Sequence, residues 1–327
     1  MLEYVLIAFA KSVIVFVALL LMVAYLTLLE RKVVARIQLR VGPTRVGPAG
    51  LLQPIADGIK LLLKEDIVPS EADRHIFVLA PALSFAAAFA AFAVIPFGGE
   101  IQMFGRKMSL AIADVNIGVL YVFAISSLGV YGIIFGAWSS NSKYPLIGGL
   151  RAAAQMVSYE LCLAFSVIGV LMITRSLSLS DVVDGQSRVW FAILQPVGFL
   201  VFLIASFAEV NRLPFDLPEA ENELVGGFHT EYSSMKFAMF FLGEYGNMIT
   251  ASAMITTLYL GGWRGPFLPS VVWFLIKIFV LLFLFVWVRG TLPRFRYDQL
   301  MRFGWKVLLP ISIANILGTG VVLAMMD

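Results

Sequence analysis

Apolar residues in this chain run unbroken for about 20 positions at a time, the length at which a helix crosses a hydrocarbon core. Eight such runs, at 5–29, 76–96, 115–138, 152–173, 189–208, 237–260, 267–288 and 307–326, are separated by segments that gather nearly all the charge. Runs this long and uniform lack the two-residue alternation of a membrane barrel strand, and a backbone in lipid must satisfy its own hydrogen bonds, so each predicts a helix. The pattern thus predicts an all-α integral membrane protein, one polytopic domain over residues 1–327 with eight transmembrane helices. The first run is followed, not preceded, by its positive residues Arg31, Lys32 and Arg36, the reverse of a secretory signal, so it is kept as a helix.

Composition supports this: 60% of residues are hydrophobic and 14% charged, against about 25% charged in soluble domains. An even number of spans puts both termini on one side. Alternate connections then hold 17 basic residues (30–75, 139–151, 210–236 and 289–306) against five, Arg106, Lys107, Arg175, Arg188 and Arg264. Basic loops stay on the cytoplasmic side, so both termini face away from the cytoplasm, or from the matrix in an organelle. A bacterial plasma (inner) membrane is the expected location.

The single cysteine, Cys162, excludes internal disulfides and cysteine-ligated iron–sulfur clusters. The two histidines, His75 and His229, flank helices on the cytoplasmic side, where they cannot face one another across a bundle to hold haem. No phosphate-binding loop, zinc-protease or serine-hydrolase motif is present. No metal or cofactor is expected on this chain, nothing points to nucleic acid, and any redox chemistry must come from other subunits.

Two cytoplasmic connections are long. In 30–75, the stretch 31–45 carries five positive residues and no acid, and Gly42, Pro43, Gly47 and Pro48 oppose regular helix. Leu51, Leu52, Ile55, Ile59, Leu62 and Leu63 then recur at helical spacing, predicting an amphipathic surface helix over 51–64. It reads equally as a brace over the bundle or as the border of an entrance for a lipid-soluble ligand. The other connection, 209–236, has five acids between 210 and 235, Asp216, Glu219, Glu221, Glu223 and Glu231, and one base, Arg212. A charge run is commonly a solvated face. This one starts at Glu209, at the end of an apolar run, and resumes inside the next run at Glu244, which favours a proton route.

Glu160 and Glu244 stand alone inside apolar runs, about 10 to 12 Å from their starts at 1.5 Å per residue. A carboxylate at that depth costs about 2.5 to 3.5 kcal/mol on insertion scales, so it faces a partner or water and marks an ion, proton or substrate path, or else bonds to another helix as a structural tie. Asp114, just before the third run, suits a helix N-cap. Lys11 suits snorkelling to the headgroups, and Lys277 either that or pairing with a buried Glu. Tyr144, Trp190, Trp263, Trp273 and Trp305 suit interface anchors.

The loops carry longer motifs. Glu30-Arg-Lys, Arg40-Val-Gly-Pro-Thr-Arg-Val-Gly-Pro, Leu52-Gln-Pro-Ile-Ala-Asp-Gly-Ile-Lys and Lys64-Glu-Asp occupy the first loop. Ala208-Glu-Val-Asn-Arg-Leu-Pro-Phe-Asp-Leu-Pro-Glu-Ala-Glu, Gly227-Phe-His-Thr-Glu-Tyr, Gly243-Glu-Tyr and Leu292-Pro-Arg-Phe-Arg-Tyr-Asp follow. Together they resemble the quinone-gate membrane subunits (H-type in bacteria, type 1 in mitochondria) of respiratory complex I, the proton-translocating NADH:quinone oxidoreductase. The likeness covers essentially the whole chain; Asn222 departs from the smaller Ser expected there. The resemblance implies a membrane-arm subunit at the junction with the peripheral arm, part of a translocase with no complete active site of its own. Quinone is the implied substrate, FMN, NADH and iron–sulfur clusters belong to partner subunits, and the implied neighbours are the other complex I subunits and membrane lipid. Arg31, Asp57, Lys60 and Phe228 would line or gate the quinone passage. Glu209, Asp216, Glu219, Glu221, Glu223 and Glu231 would form an acidic path that Glu160 and Glu244 continue, coupling quinone reduction to proton pumping. The intramembrane acids also suit an independent proton or cation transporter, and the chain is comparable to the membrane anchor of an energy-converting hydrogenase, though the quinone-loop motifs would be unexpected there.

Overall fold

The computed structural model describes residues 2–99, 101–103, 106–219 and 221–326. The first helix, α1 (Leu2–Ile37), runs past its apolar window because nothing in Glu30-Arg-Lys-Val-Val-Ala-Arg breaks a helix. An irregular stretch follows, in which Gly50 takes φ +78° and a Cβ there would sit 2.2 Å from the Pro43 carbonyl oxygen. The predicted surface helix is α2 (Gln53–Leu63), started by Pro54 and with no buried residue. The second span is α3 (Arg74–Ala90), capped by Asp73, whose side chain accepts from the His75 and Ile76 amides.

A two-stranded antiparallel hairpin, β1 (Ile101–Met103) and β2 (Arg106–Met108), is the one β feature among the described residues. Next come α4 (Gly118–Ser139), α5 (Lys143–Thr174) and the short α6 (Leu179–Gly185). Asp114 does not cap α4: the cap position is Ile117, and Asp114 Oδ1 accepts instead from Ser180 Oγ at 3.4 Å. Lys11 does not reach the headgroups either, because its ammonium donates to the Ser109 and Ala111 carbonyls.

The run at 189–208 is broken into α7 (Phe191–Leu194) and α8 (Pro196–Glu209). Pro196 supplies no amide and pushes Gln195 out of helical geometry, to φ −128° and ψ 57°. The freed Gln195 side chain bonds Thr319 Oγ1 at 2.9 Å and Asn315 Nδ2 at 3.0 Å, tying the break to the last helix. After the acidic connection with its single turn α9 (Glu221–Leu224) come α10 (Ser234–Tyr259), α11 (Ser270–Thr291), α12 (Tyr297–Phe303) and α13 (Leu309–Met326). A π-helical turn at Gly304–Leu308 joins the last two. Pro310 has no amide for the preceding turn, and the wider turn accommodates that.

Among the described residues, six helical stretches are long and apolar enough to cross a membrane: Val5–Ile37, Arg74–Ala93, Gly118–Ser139, Lys143–Thr174, Ser270–Thr291 and Tyr297–Met326. The other two predicted spans correspond to α8, which is apolar but short, and α10. From Met248 to Tyr259, α10 is buried at every position but Ala251, and its Thr and Ser hydroxyls bond back to carbonyls four residues earlier. A helix surrounded by protein can carry such residues where a lipid-facing one cannot. Close approach to α3 is allowed by Gly243, whose added Cβ would lie 3.1 Å from Ser84 Oγ. That contact turns the neighbouring Glu244 and Tyr245 toward the other helices.

Candidate functional site

The end of α1 and the start of α2 meet through charge. Arg31 Nη1 lies 2.5 Å from Asp57 Oδ2, Lys60 Nζ lies 4.0 Å from Asp57 Oδ1, and Gln53 Nε2 donates to Asp57 Oδ1 at 3.1 Å. Beside them opens a cleft of about 590 Å³ whose charged lining is Glu30, Arg31, Arg40, Arg45 and Arg289. Four guanidinium groups against one carboxylate favour an electron-rich occupant. Ile55, Ile59, Leu62 and Leu63 of α2 are more than half exposed beside it.

Behind the cleft lies a buried ionic cluster that unites four segments. Arg212, 5% exposed, places Nε 2.5 Å from Glu244 Oε1 and Nη1 3.3 Å from Glu30 Oε1. Its guanidinium also stacks on the Tyr245 ring, 4.3 Å from the centroid, and the Tyr245 hydroxyl donates to Glu30 Oε2 at 2.9 Å. Arg289 Nη1 pairs with Glu30 Oε1. Burial disfavours the Arg212 cation, but Glu244 and Tyr245 more than offset this, so it holds its proton more tightly than an ordinary arginine. Asp216 and Glu219 lie close enough to Glu244 for their charges to repel it. Glu219 Oε1 is 4.0 Å from His229 Nδ1, and the Arg294 guanidinium bonds the Asp216 carbonyl.

A second acidic pair lies across the α5 and α8 contact. Glu160 is near enough to Glu209 for the two charges to interact, and Glu209 Oε2 is buried with no hydrogen-bond partner among the described residues. Gln155 fixes this corner by donating to the Ala208 and Phe215 carbonyls at 2.8 and 2.7 Å.

The structure therefore groups Arg31, Asp57 and Lys60; joins Glu244 with Asp216 and Glu219; and pairs Glu160 with Glu209. It separates the rest. Phe228 is buried in an aromatic cluster with Phe77, Tyr232 and Phe240, edge-on to Phe240 with centroids 5.2 Å apart, where Gly227 at φ +61° lets the chain press on Pro218. Glu223 is on the surface, 2.6 Å from Arg151, whose hydrogen bond holds its carboxyl below the usual range. Glu231 is half-buried at the turn into α10, and the Glu221 side chain lies outside those described. Burial pushes the nearby Tyr232 phenol up to about 12, so it serves as a neutral donor to the Phe77 carbonyl. Glu30, Tyr245 and Arg289 escape the sequence-based assignment of roles. Glu30 and Arg289 end apolar runs, where charge is read as a water-side flank, and Tyr245 has no charge; its position next to Glu244 is the available signal.

The sequence profile of the NADH dehydrogenase family matches residues 10–320. The chain belongs to that family. It is 56% identical to the second of the H-type NADH-quinone oxidoreductase subunits of Syntrophobacter fumaroxidans over 315 residues, 96% of this chain and 95% of that one. Similarity to the first of the corresponding H-type subunits of Geobacter sulfurreducens is 54% identity over 329 residues, covering 97% and 94%. With the H-type NADH-quinone oxidoreductase subunit of Frankia alni it shares 54% over 317 residues, 94% of this chain and 70% of the longer relative. The resemblance carried by the loop motifs is therefore a family relationship. As a member of the NADH dehydrogenase family, the chain is an integral membrane protein with a cationic cleft backed by buried carboxylates.

Proposed function

We propose that this chain is the H-type membrane-arm subunit of a proton-translocating NADH:quinone oxidoreductase, that it borders the passage by which quinone reaches the peripheral arm, and that its carboxylates couple quinone reduction to proton movement. The observation that carries the reading is the Glu30–Arg212–Glu244 cluster, which begins at the wall of the cationic cleft and ends on α10. An apolar quinone tail suits the exposed Ile and Leu face of α2, and the carbonyl oxygens of its headgroup suit the arginines. Reduction to quinol takes two electrons, supplied from NADH through flavin and iron–sulfur clusters on partner subunits, and two protons, which carboxyl groups within reach can relay. The Glu160–Glu209 pair extends this acidic path away from the cleft. The single polytopic domain, the basic loop 30–75 and the acidic loop 209–236 on the cytoplasmic side, both termini on the other side and a bacterial inner membrane complete the proposal.

Glu244→Gln in the assembled complex, reconstituted in vesicles, tests it. The expected result is normal assembly with quinone reductase turnover and pumping reduced roughly tenfold, the effect of about 1.4 kcal/mol on a barrier. Undiminished turnover with normal pumping overturns the coupling role. Proton or sodium movement by the purified chain alone would favour a self-sufficient transporter.

A further inference from the structure

We propose that Glu30 is a positioning residue through which Arg289, in the cleft wall, controls the pairing of Arg212 with Glu244, so that an electron-rich oxygen in the cleft is sensed inside the bundle. The inference rests on the quinone-passage reading and adds to it a residue and a direction.

One carboxylate serves three donors. Glu30 Oε1 accepts from both Arg289 and Arg212, and Glu30 Oε2 accepts from the Tyr245 hydroxyl. Only Glu30 and Arg289 of this set line the cleft. Arg289 keeps 30% of its side chain exposed while Arg212 keeps 5%, so an entering ligand meets Arg289 first. A guanidinium has five N–H donors in a fixed fork and binds an oxygen anion or a carbonyl well. When a ligand oxygen takes Arg289, Glu30 loses one of its two cations and draws Arg212 more strongly. Arg212 stands 2.5 Å from Glu244 and 3.3 Å from Glu30, and its Nη2 has no acceptor among the described residues, so a small rotation exchanges one carboxylate for the other. A buried carboxylate that loses its cation takes up a proton. Occupancy of the cleft would thus load a proton on Glu244, and emptying it would release that proton. Tyr245 keeps the exchange local, since its ring carries the Arg212 guanidinium while its hydroxyl holds Glu30.

The test uses the whole complex in sealed vesicles and reads protons moved per quinone reduced, a ratio that a purely structural role leaves unchanged even when the rate falls. In Glu30→Gln the side chain keeps its shape and loses its charge, and the ratio is expected to be roughly halved or worse. An unchanged ratio overturns the proposal. If Glu30→Gln does not assemble, Tyr245→Phe decides: it retains the ring and removes the hydroxyl, and a lowered ratio supports the relay while an unchanged ratio defeats it. Glu244→Gln separates the two levels of the argument. A normal ratio there defeats the coupling reading itself, whereas a lowered ratio there with a normal one in Glu30→Gln defeats only the role of Glu30.

Discussion

Arg212 Nε lies 2.5 Å from Glu244 Oε1, so the only base between residues 210 and 235 neutralises an acid that stands alone in an apolar run. Each explains the other. A lone carboxylate in the bundle is costly, and so is a buried guanidinium, but together with Glu30 and Arg289 they form a set of two negative and two positive charges. Replacing Arg212 with Leu leaves Glu244 without a cation and removes one from Glu30. The expected loss is about 3 to 5 kcal/mol, enough to lower the amount of assembled complex. Native gel electrophoresis of membranes carrying Arg212→Leu checks this, with Arg212→Lys expected to recover assembly in part because it restores charge without the fork.

Lys277, which the sequence leaves open between snorkelling and pairing with a buried acid, does neither. Its ammonium donates to three carbonyls, Leu260 at 2.7 Å, Gly262 at 2.9 Å and Arg264 at 2.8 Å, closing the tight turn between α10 and α11. Lys277→Met strips those oxygens of a donor at a cost of about 1 to 3 kcal/mol. A lowered thermal midpoint of the purified complex with an unaltered proton-to-quinone ratio is the expected outcome.

Glu223 provides a control for the acidic connection. Its carboxyl is held down by Arg151, so the folded value lies below the unfolded one. The associated stability is present above the ordinary carboxylate range and is lost as pH falls through the lowered value. Because the pair is at the surface, the effect is below about 1 kcal/mol. Wild type and Glu223→Gln should differ slightly in thermal stability at neutral pH and converge in acid, without change in coupling.

Helices are the most legible part of the sequence, because a membrane leaves unbroken apolar length as a strong and simple signal. The ends are less legible. α1 passes through Glu30 without interruption since charge alone does not stop a helix, and the run at 189–208 is interrupted because Pro196 outweighs its apolar neighbours. α10 illustrates the limit of hydropathy: its Thr, Ser and Glu residues face protein, so composition understates a helix at the centre of the bundle. Glu160 and Glu244 are visible as exceptions within apolar runs. Their partners are not, since Glu244 meets Arg212 of an irregular loop and Glu160 meets Glu209 of another helix, both contacts set by tertiary packing. Phe228 shows the converse, a motif residue whose aromatic neighbours hold it in a packed cluster.

Glu30 and Arg31 are consecutive on α1, one turned to the ionic cluster and the other to Asp57 on α2. An unbroken rod of 36 residues is about 54 Å long at 1.5 Å per residue. Pivoted at one tip, such a lever displaces the other by about 5 Å for a tilt of roughly five degrees. Both side chains travel with it in step, so any tilt of this helix carries the Arg31 rim of the cleft and the Glu30 carboxylate together.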